Sequence, residues 1–117
     1  MTFRIAALSA CLLASTSAFA QDIPPRAAEI LRCGIAFQNH SDALKETGDS
    51  GGATEFLYRG DELVQRATYM LQDAGFGADA VENVVMNTVL TASFEYGAGP
   101  DALIAECITS VADDDSP

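Results

Sequence analysis

The spacing of the apolar residues constrains this chain more than any other feature of its sequence. From residue 24 onwards, apolar and small side chains recur at intervals of three and four, and strict alternation of apolar with polar residues is absent. Intervals of three and four place side chains on one face of a helix, whereas alternation is typical of a strand. The pattern therefore predicts an all-α fold.

Proline, glycine and capping residues divide the periodic region into four predicted helices. Proline suits the first turn of a helix, small polar side chains cap that turn, and glycine suits the residue that follows the last turn. The predicted helices run from Pro24-Pro25 to Thr47-Gly48, Thr54 to Gly75-Phe76-Gly77, Asp79 to Gly97-Ala98-Gly99, and Pro100 to residue 112. We expect residues 49–52 to form a loop, and Asp79 to form a capping box with Glu82.

The connections after the second and third predicted helices are only a few residues long. Short connections favour antiparallel neighbours, so we expect a small antiparallel four-helix bundle with the first and fourth helices side by side. Leu103, Ile104, Cys107 and Val111 would form the inner face of the fourth helix. In that arrangement Cys33 and Cys107 differ in height by only about one turn, at ~1.5 Å per residue.

The first twenty residues have the organisation of a secretory signal peptide. Arg4 gives a positively charged start, residues 5–14 are apolar, and residues 18–20 match the A-x-A cleavage pattern. The apolar run is shorter than the ~18 residues that a membrane-spanning helix needs. Lipidation at Cys11 is the alternative, but the apolar run continues past Cys11 to the intact cleavage pattern.

The sequence thus predicts three segments. They are a signal peptide over residues 1–20, a single helical domain over residues 21–112 and an acidic disordered tail over residues 113–117. We expect cleavage to release the protein into the periplasm or the medium, with no membrane insertion afterwards. Both compartments are oxidising enough to allow disulfide bonds.

Two cysteines, Cys33 and Cys107, remain after the predicted cleavage. An even number of cysteines in an exported protein predicts a disulfide. The bond would close a loop of roughly 75 residues and would contribute roughly 4 kcal/mol of stability. A structural bond is favoured over a redox-active pair, because the sequence contains no C-x-x-C motif.

Acidic residues dominate the charged side chains. The chain has 17 Asp and Glu against 6 Lys and Arg, a net charge of −11, and loss of Arg4 with the signal peptide takes it to −12. A nucleic-acid binder needs Lys and Arg to neutralise phosphates, so this class is excluded. We expect the acidic residues 61–62 and 113–115 to be solvated, with binding of a divalent cation or of a basic partner protein as the alternatives.

Motifs of cofactor chemistry are absent from the sequence. It lacks the Glu-x-x-His pairs of di-iron bundles, the C-x-x-C-H of c-type haem attachment, the P-loop and the EF-hand. We therefore predict no cofactor and no metal site.

His40 is the only histidine. We expect it to be an ordinary side chain near the end of a helix, and the protein not to be an enzyme, because catalysis needs convergent groups. The alternative is a small-ligand carrier or enzyme with a site inside the bundle that uses His40 and carboxylates near Tyr58, Tyr69 or Tyr96. A bundle of this size leaves little room for a substrate pocket of ~300 Å³.

The third predicted helix is apolar on two sides and carries no charge between Glu82 and Glu95. The side that we assign to the core consists of Val81, Val85, Val89 and Ala92. The opposite side is a row of Met86, Leu90 and Phe94, flanked by Asn83 and Asn87. This row is either covered by a tilted neighbouring helix or left exposed as a surface for a partner or a second copy of the chain.

These observations indicate a binding or interaction module rather than an enzyme. An inhibitor, an immunity-type protein, a chaperone-like protein and an accessory subunit all fit a small, acidic, disulfide-bonded helical protein. We expect the contact surface to be Met86, Leu90 and Phe94. A partner protein with a basic surface and a second copy of the chain are the two partners that the composition suggests.

Overall fold

The structure is a computed structural model that describes residues 22–112. Four helices account for nearly all of these residues: α1 (Pro25–Glu46), α2 (Ser50–Asp73), α3 (Ala78–Ala98) and α4 (Pro100–Ala112). The part of the chain that the structure describes contains no β-strand, so the predicted all-α fold with four helices is confirmed. The predicted signal peptide and acidic tail lie outside the described residues.

α2 begins four residues earlier than the sequence analysis predicted. Residues 49–52 are not a loop, because the Asp49 carboxylate accepts a hydrogen bond from the Gly52 backbone N–H at 3.0 Å and caps the helix. Thr54 lies inside the helix, where its hydroxyl donates to the Ser50 carbonyl oxygen. The two glycines of this segment favour a loop, but the cap that Asp49 provides stabilises a helix that begins before them.

The start of α3 also differs from the prediction. Gly77 occupies the position that precedes the helix, and no side chain caps it, so Asp79 and Glu82 do not form a capping box. Asp79 lies in the first turn instead, where its negative charge interacts favourably with the helix dipole. The turn before it uses Gly75, whose φ of 95° few other residues adopt readily.

Each of the other three helices makes its largest contact with α1. The disulfide between Cys33 and Cys107 joins α1 to α4, with the two Cα atoms 5.3 Å apart, so the predicted bond and the predicted contact of these helices are both present. Around the disulfide lies a core of buried apolar side chains that includes Ile30, Leu31, Phe37, Leu63, Leu103, Ile104 and Val111. A second cluster, of Ala27, Leu71, Phe76 and Val81, closes the end of the fold near the α2–α3 turn.

α1 and α2 run in opposite directions and approach closely. Ser41 is fully buried near the end of α1, and its hydroxyl donates a 2.6 Å hydrogen bond to the carbonyl oxygen of Ala53 near the start of α2. Further along, Gly34 lies against Gly60, and a Cβ atom at Gly60 would come within 2.8 Å of the Gly34 carbonyl oxygen. Glycine at both positions therefore allows the two backbones to touch.

Candidate functional site

Met86, Leu90 and Phe94 form a row of large apolar side chains on the solvent side of α3, which we name the apolar face. Their exposed fractions are 58%, 70% and 83%. The expected alternative, burial under a tilted neighbouring helix, is not what the described part of the chain shows. Large apolar side chains that are exposed in a contiguous row are typical of contact surfaces.

The other side of α3 anchors the helix to the rest of the fold. Val81 and Ala92 are buried, and Val85 is partly buried against the core, as the helical spacing predicts. Val89 differs from the prediction, because it is 39% exposed rather than part of the core. α3 therefore rests on its neighbours along a narrow strip, and the remainder of its circumference faces solvent.

The side chains beside the apolar face carry no charge between Glu82 and Glu95. Asn83, Asn87 and Thr91 are exposed beside the row, and the Thr91 hydroxyl donates to carbonyl oxygens of its own helix. The exposed Glu82 lies one turn before Met86. At the other end of the row, the Glu95 carboxylate accepts hydrogen bonds from Nε and Nη2 of Arg32 at 2.8 and 2.5 Å. This ion pair draws the charge of Glu95 away from the apolar face and towards α1.

Arg32 is the centre of a polar cluster that sequence analysis did not identify. Besides Glu95 of α3, it donates to Glu29 of α1 at 3.0 Å and to Glu106 of α4 at 2.9 Å. These carboxylates raise the pKa of the Arg32 guanidinium above its ordinary value, and the hydrogen bonds from Arg32 lower the pKa of the Glu95 carboxyl. Only the i, i+3 spacing of Glu29 and Arg32 is visible in the sequence, because the other two contacts depend on the fold.

His40 belongs to α1, and its side chain contacts aromatic residues of α2 and α3 rather than a carboxylate. Its Nδ1 atom is 3.0 Å from the Tyr96 hydroxyl, and its ring packs edge-to-face on Phe56 at a centroid distance of 4.6 Å. Burial raises the pKa of Tyr96, and the Asp101 carboxylate adds to this effect. Among the described residues, no carboxylate is hydrogen-bonded to the His40 ring.

The other groups of the alternative site do not converge with His40. Tyr58 and Tyr69 are exposed on α2, whereas Tyr96 alone of the three tyrosines contacts His40. A cavity of about 30 Å³ opens beside Arg59 and Arg66 on the surface of α2, about the space of one or two water molecules. It is an order of magnitude smaller than a typical substrate pocket of ~300 Å³.

One group of side chains contains the residue types of a metal site, but its sulfur atoms are not free to bind a metal ion. Glu29, Cys33 and Cys107 place a carboxylate oxygen and two sulfur atoms within 4.8 Å of one another. A metal ion needs thiolate sulfur, and the two sulfurs here are bonded to each other. The group is a disulfide with a carboxylate beside it.

No protein-family model, curated protein or solved structure matches this chain. None of the helices in the described residues combines the length and the apolar character needed to cross a membrane. Among the exposed large apolar side chains of the described residues, Met86, Leu90 and Phe94 form a contiguous row on one helix, and Leu90 and Phe94 are 70% and 83% exposed.

Proposed function

We propose that this chain is an exported acidic protein that acts by binding a protein surface through the apolar face of α3. The observation that carries the proposal is the exposure of Met86, Leu90 and Phe94 within a stretch free of charge. Exposed apolar rows promote aggregation and contribute little to a fold, so a contact role accounts for them. An inhibitor, an immunity-type protein, a chaperone-like protein or an accessory subunit would use such a surface.

The proposal places the protein outside the cytoplasm. Its support is the Cys33–Cys107 disulfide, because such bonds persist in oxidising compartments and are rare in the cytosol. Cleavage after residue 20 would release the chain into the periplasm or the medium.

We further propose that the four helices form the antiparallel bundle expected from the short connections. Two long-range contacts support it for α1 and α4. Arg26, in the first turn of α1, donates to the carbonyl oxygen of Ser110 near the end of α4 at 3.0 Å, and Cys33 is bonded to Cys107 earlier in α4. Later residues of one helix thus meet earlier residues of the other.

The proposal divides recognition between two parts of the surface. The net charge of −12 after signal-peptide cleavage would attract a basic partner over a distance, and the apolar face would supply the short-range contact. A second copy of the chain would use the apolar face alone. No catalytic role is assigned to His40, since its visible partners, Tyr96 and Phe56, are structural contacts between helices.

Affinity capture from an envelope extract tests the proposal. The bait is the oxidised exported protein, compared with Leu90→Asp and with Tyr58→Asp, whose side chain is 72% exposed on α2. We expect the unaltered bait and Tyr58→Asp to retain the same protein from the extract. Untagged copies of the chain are added as a second possible partner, and we expect both baits to treat these copies alike as well. We expect Leu90→Asp to lose the retained partner while keeping its melting temperature.

Two results would contradict the proposal. One is equal retention by Leu90→Asp, which would place the contact elsewhere. The other is a fall of several degrees in the melting temperature of Leu90→Asp without any change in association, which is the behaviour of a core position.

A further inference from the structure

We propose that the apolar face of α3 binds a second copy of this chain, in an antiparallel pair of α3 helices related by a two-fold axis at Leu90. This inference rests on the proposed contact role of the face and names its occupant. Three observations support it: the distribution of charge, the symmetry of the side chains about Leu90, and the amount of exposed apolar surface.

The distribution of charge favours a copy of the same chain over a basic partner. Two exported molecules, each with a net charge of −12 after loss of Arg4, repel each other, so a surface without carboxylates is the favourable place for them to associate. The stretch between Glu82 and Glu95 is such a place, and Arg32 neutralises the Glu95 end of it. A basic partner would gain most from carboxylates around the apolar row. Between Glu82 at one end and the Arg32-paired Glu95 at the other, the flanks of the row carry Asn83, Asn87 and Thr91 instead.

The side chains of the face are arranged symmetrically about Leu90. Met86 lies four residues before it and Phe94 four residues after it, so an antiparallel partner places each Met86 at the height of the other copy's Phe94. Sulfur–aromatic contacts of this kind are favourable. Asn83 and Gly97 lie seven residues to either side, on the same stripe of the helix.

Gly97 leaves space for the second copy at each end of the antiparallel α3 pair. A Cβ atom at Gly97 would meet no atom within 4 Å, and its φ is not positive, so neither packing nor backbone conformation within one chain requires glycine there. In the antiparallel pair, Gly97 of one copy faces Asn83 of the other. A small residue at this point allows the two helices to remain close along the whole row.

The exposed area predicts a weak dimer. Three side chains of these sizes and exposures present on the order of 400 Å² of apolar surface per copy, as the largest patch on a monomer often does. Pairing two copies would bury about twice that area, below the ~1,200 Å² of a stable standard interface. We therefore expect a weak dimer whose formation depends on protein concentration.

Sedimentation equilibrium of the oxidised exported protein over about 1 µM to 1 mM tests the inference across the range that this weak association requires. We expect dimer formation by the unaltered protein and by Tyr58→Asp, and at least a tenfold loss of association in Leu90→Asp. Added NaCl should tighten the dimer, because it screens the repulsion between two acidic molecules. Salt would weaken a complex held by opposite charges.

Cysteine cross-linking tests the position of the axis. Leu90→Cys should form a disulfide-linked dimer under mild oxidation, because residue 90 faces its own copy. Met86→Cys should not, because four residues on each side of the axis separate the two positions by about 12 Å along the helices. Tyr58→Cys, with its cysteine on α2, is the control that measures how much cross-linking arises from random collisions.

The outcomes separate this inference from the proposed function. A monomer at all concentrations, a dimer unaffected by Leu90→Asp, or equal cross-linking of Met86→Cys and Leu90→Cys would overturn the inference. If the protein is monomeric but the capture experiment still retains a different protein through Leu90, the proposed function stands and only the second copy is excluded. If neither association depends on Leu90, both fail.

Discussion

At the scale of single residues, Gly34 and Gly60 determine how closely α1 and α2 approach. A Cβ atom at Gly34 would lie 2.9 Å from Cγ2 of Val64 and 3.0 Å from the Gly60 carbonyl oxygen, and the reverse contact from Gly60 is shorter still. Backbone atoms cannot move aside as the end of a flexible side chain can. The largest helix–helix contact of the fold thus depends on the absence of two methyl groups.

Gly60→Ala should therefore destabilise the fold. Overpacking costs about 1–3 kcal/mol, and the better helix propensity of alanine offsets up to ~1 kcal/mol of it. We expect a fall in the melting temperature of about 5–15 °C, measured by circular dichroism. Gly51→Ala, in the first turn of α2 with open space around it, is the matched control and should be neutral or slightly stabilising. Equal melting temperatures for the two variants would disprove the close contact.

The role of a single residue can be predicted from the sequence when its residue type usually has one structural role, as cysteine does in exported proteins. Cys33 and Cys107 are predicted as a pair from their number and from export alone, and the bond is present. Arg32 gives no such signal, because three carboxylates from three helices converge on it only after the helices pack. Gly34 and Gly60 likewise read as small positions of a helical stripe, and their close contact is visible only in the fold.

At the scale of helices, α3 combines a narrow buried strip with a broad neutral surface. The helical period correctly places Val81 and Ala92 in the core, and Met86 opposite them. Periodicity gives the direction of a side chain but not the width of the neighbouring helix that covers it, so it predicts Val89 in the core, whereas Val89 is 39% exposed. The start of α2 differs from the prediction because the Asp49 side chain caps the helix before Gly51 and Gly52, two residues that on their own favour a loop.

The pairing of Arg32 with Glu95 should make the attachment of α3 to α1 sensitive to acid. A carboxyl whose pKa is lowered on folding stabilises the fold above its ordinary pKa of 4.5, and this contribution is lost as the pH falls through the lower folded value. The effect should be modest, because the Glu95 side chain is 44% exposed.

We expect the melting temperature to fall as the pH drops below about 4.5, with a smaller fall in Glu95→Gln than in the unaltered protein. Thermal denaturation between pH 7 and pH 3 measures the difference. Glu62→Gln, which alters a carboxylate in the i, i+4 pair with Arg66 on α2, controls for the general effect of removing one acidic group. Parallel curves for Glu95→Gln and the unaltered protein would contradict the assignment.

At the scale of the whole molecule, α1 is the central element and α4 depends on it most. α4 is the shortest helix, with 13 residues, and the disulfide, the Arg26–Ser110 contacts and the Arg32–Glu106 pair all join it to α1. Only part of this arrangement can be predicted from the sequence. The number of helices and the disulfide follow from sequence patterns, whereas the central position of α1 depends on the packing of all four helices together.

Removal of the disulfide should destabilise the molecule by about 2–5 kcal/mol, the usual cost in a small exported domain. Cys33→Ala/Cys107→Ala and the chemically reduced protein should unfold at similar urea concentrations, both well below that of the oxidised protein. Reductant should have no further effect on the double variant. Alkylation of two thiols in the oxidised exported protein, detected by intact mass, would show that the bond does not form.

The central position of α1 has a consequence for how the chain is made. α1 is synthesised before the other three helices, which cover its apolar surface. Cys107 follows Cys33 by 74 residues, so the disulfide cannot form until those residues have been synthesised. At ~5–20 residues per second, that interval lasts about 4–15 s. During it the nascent protein carries an uncovered helix and a free thiol, so its yield depends on holding proteases and wrong thiol partners away until the last helix emerges.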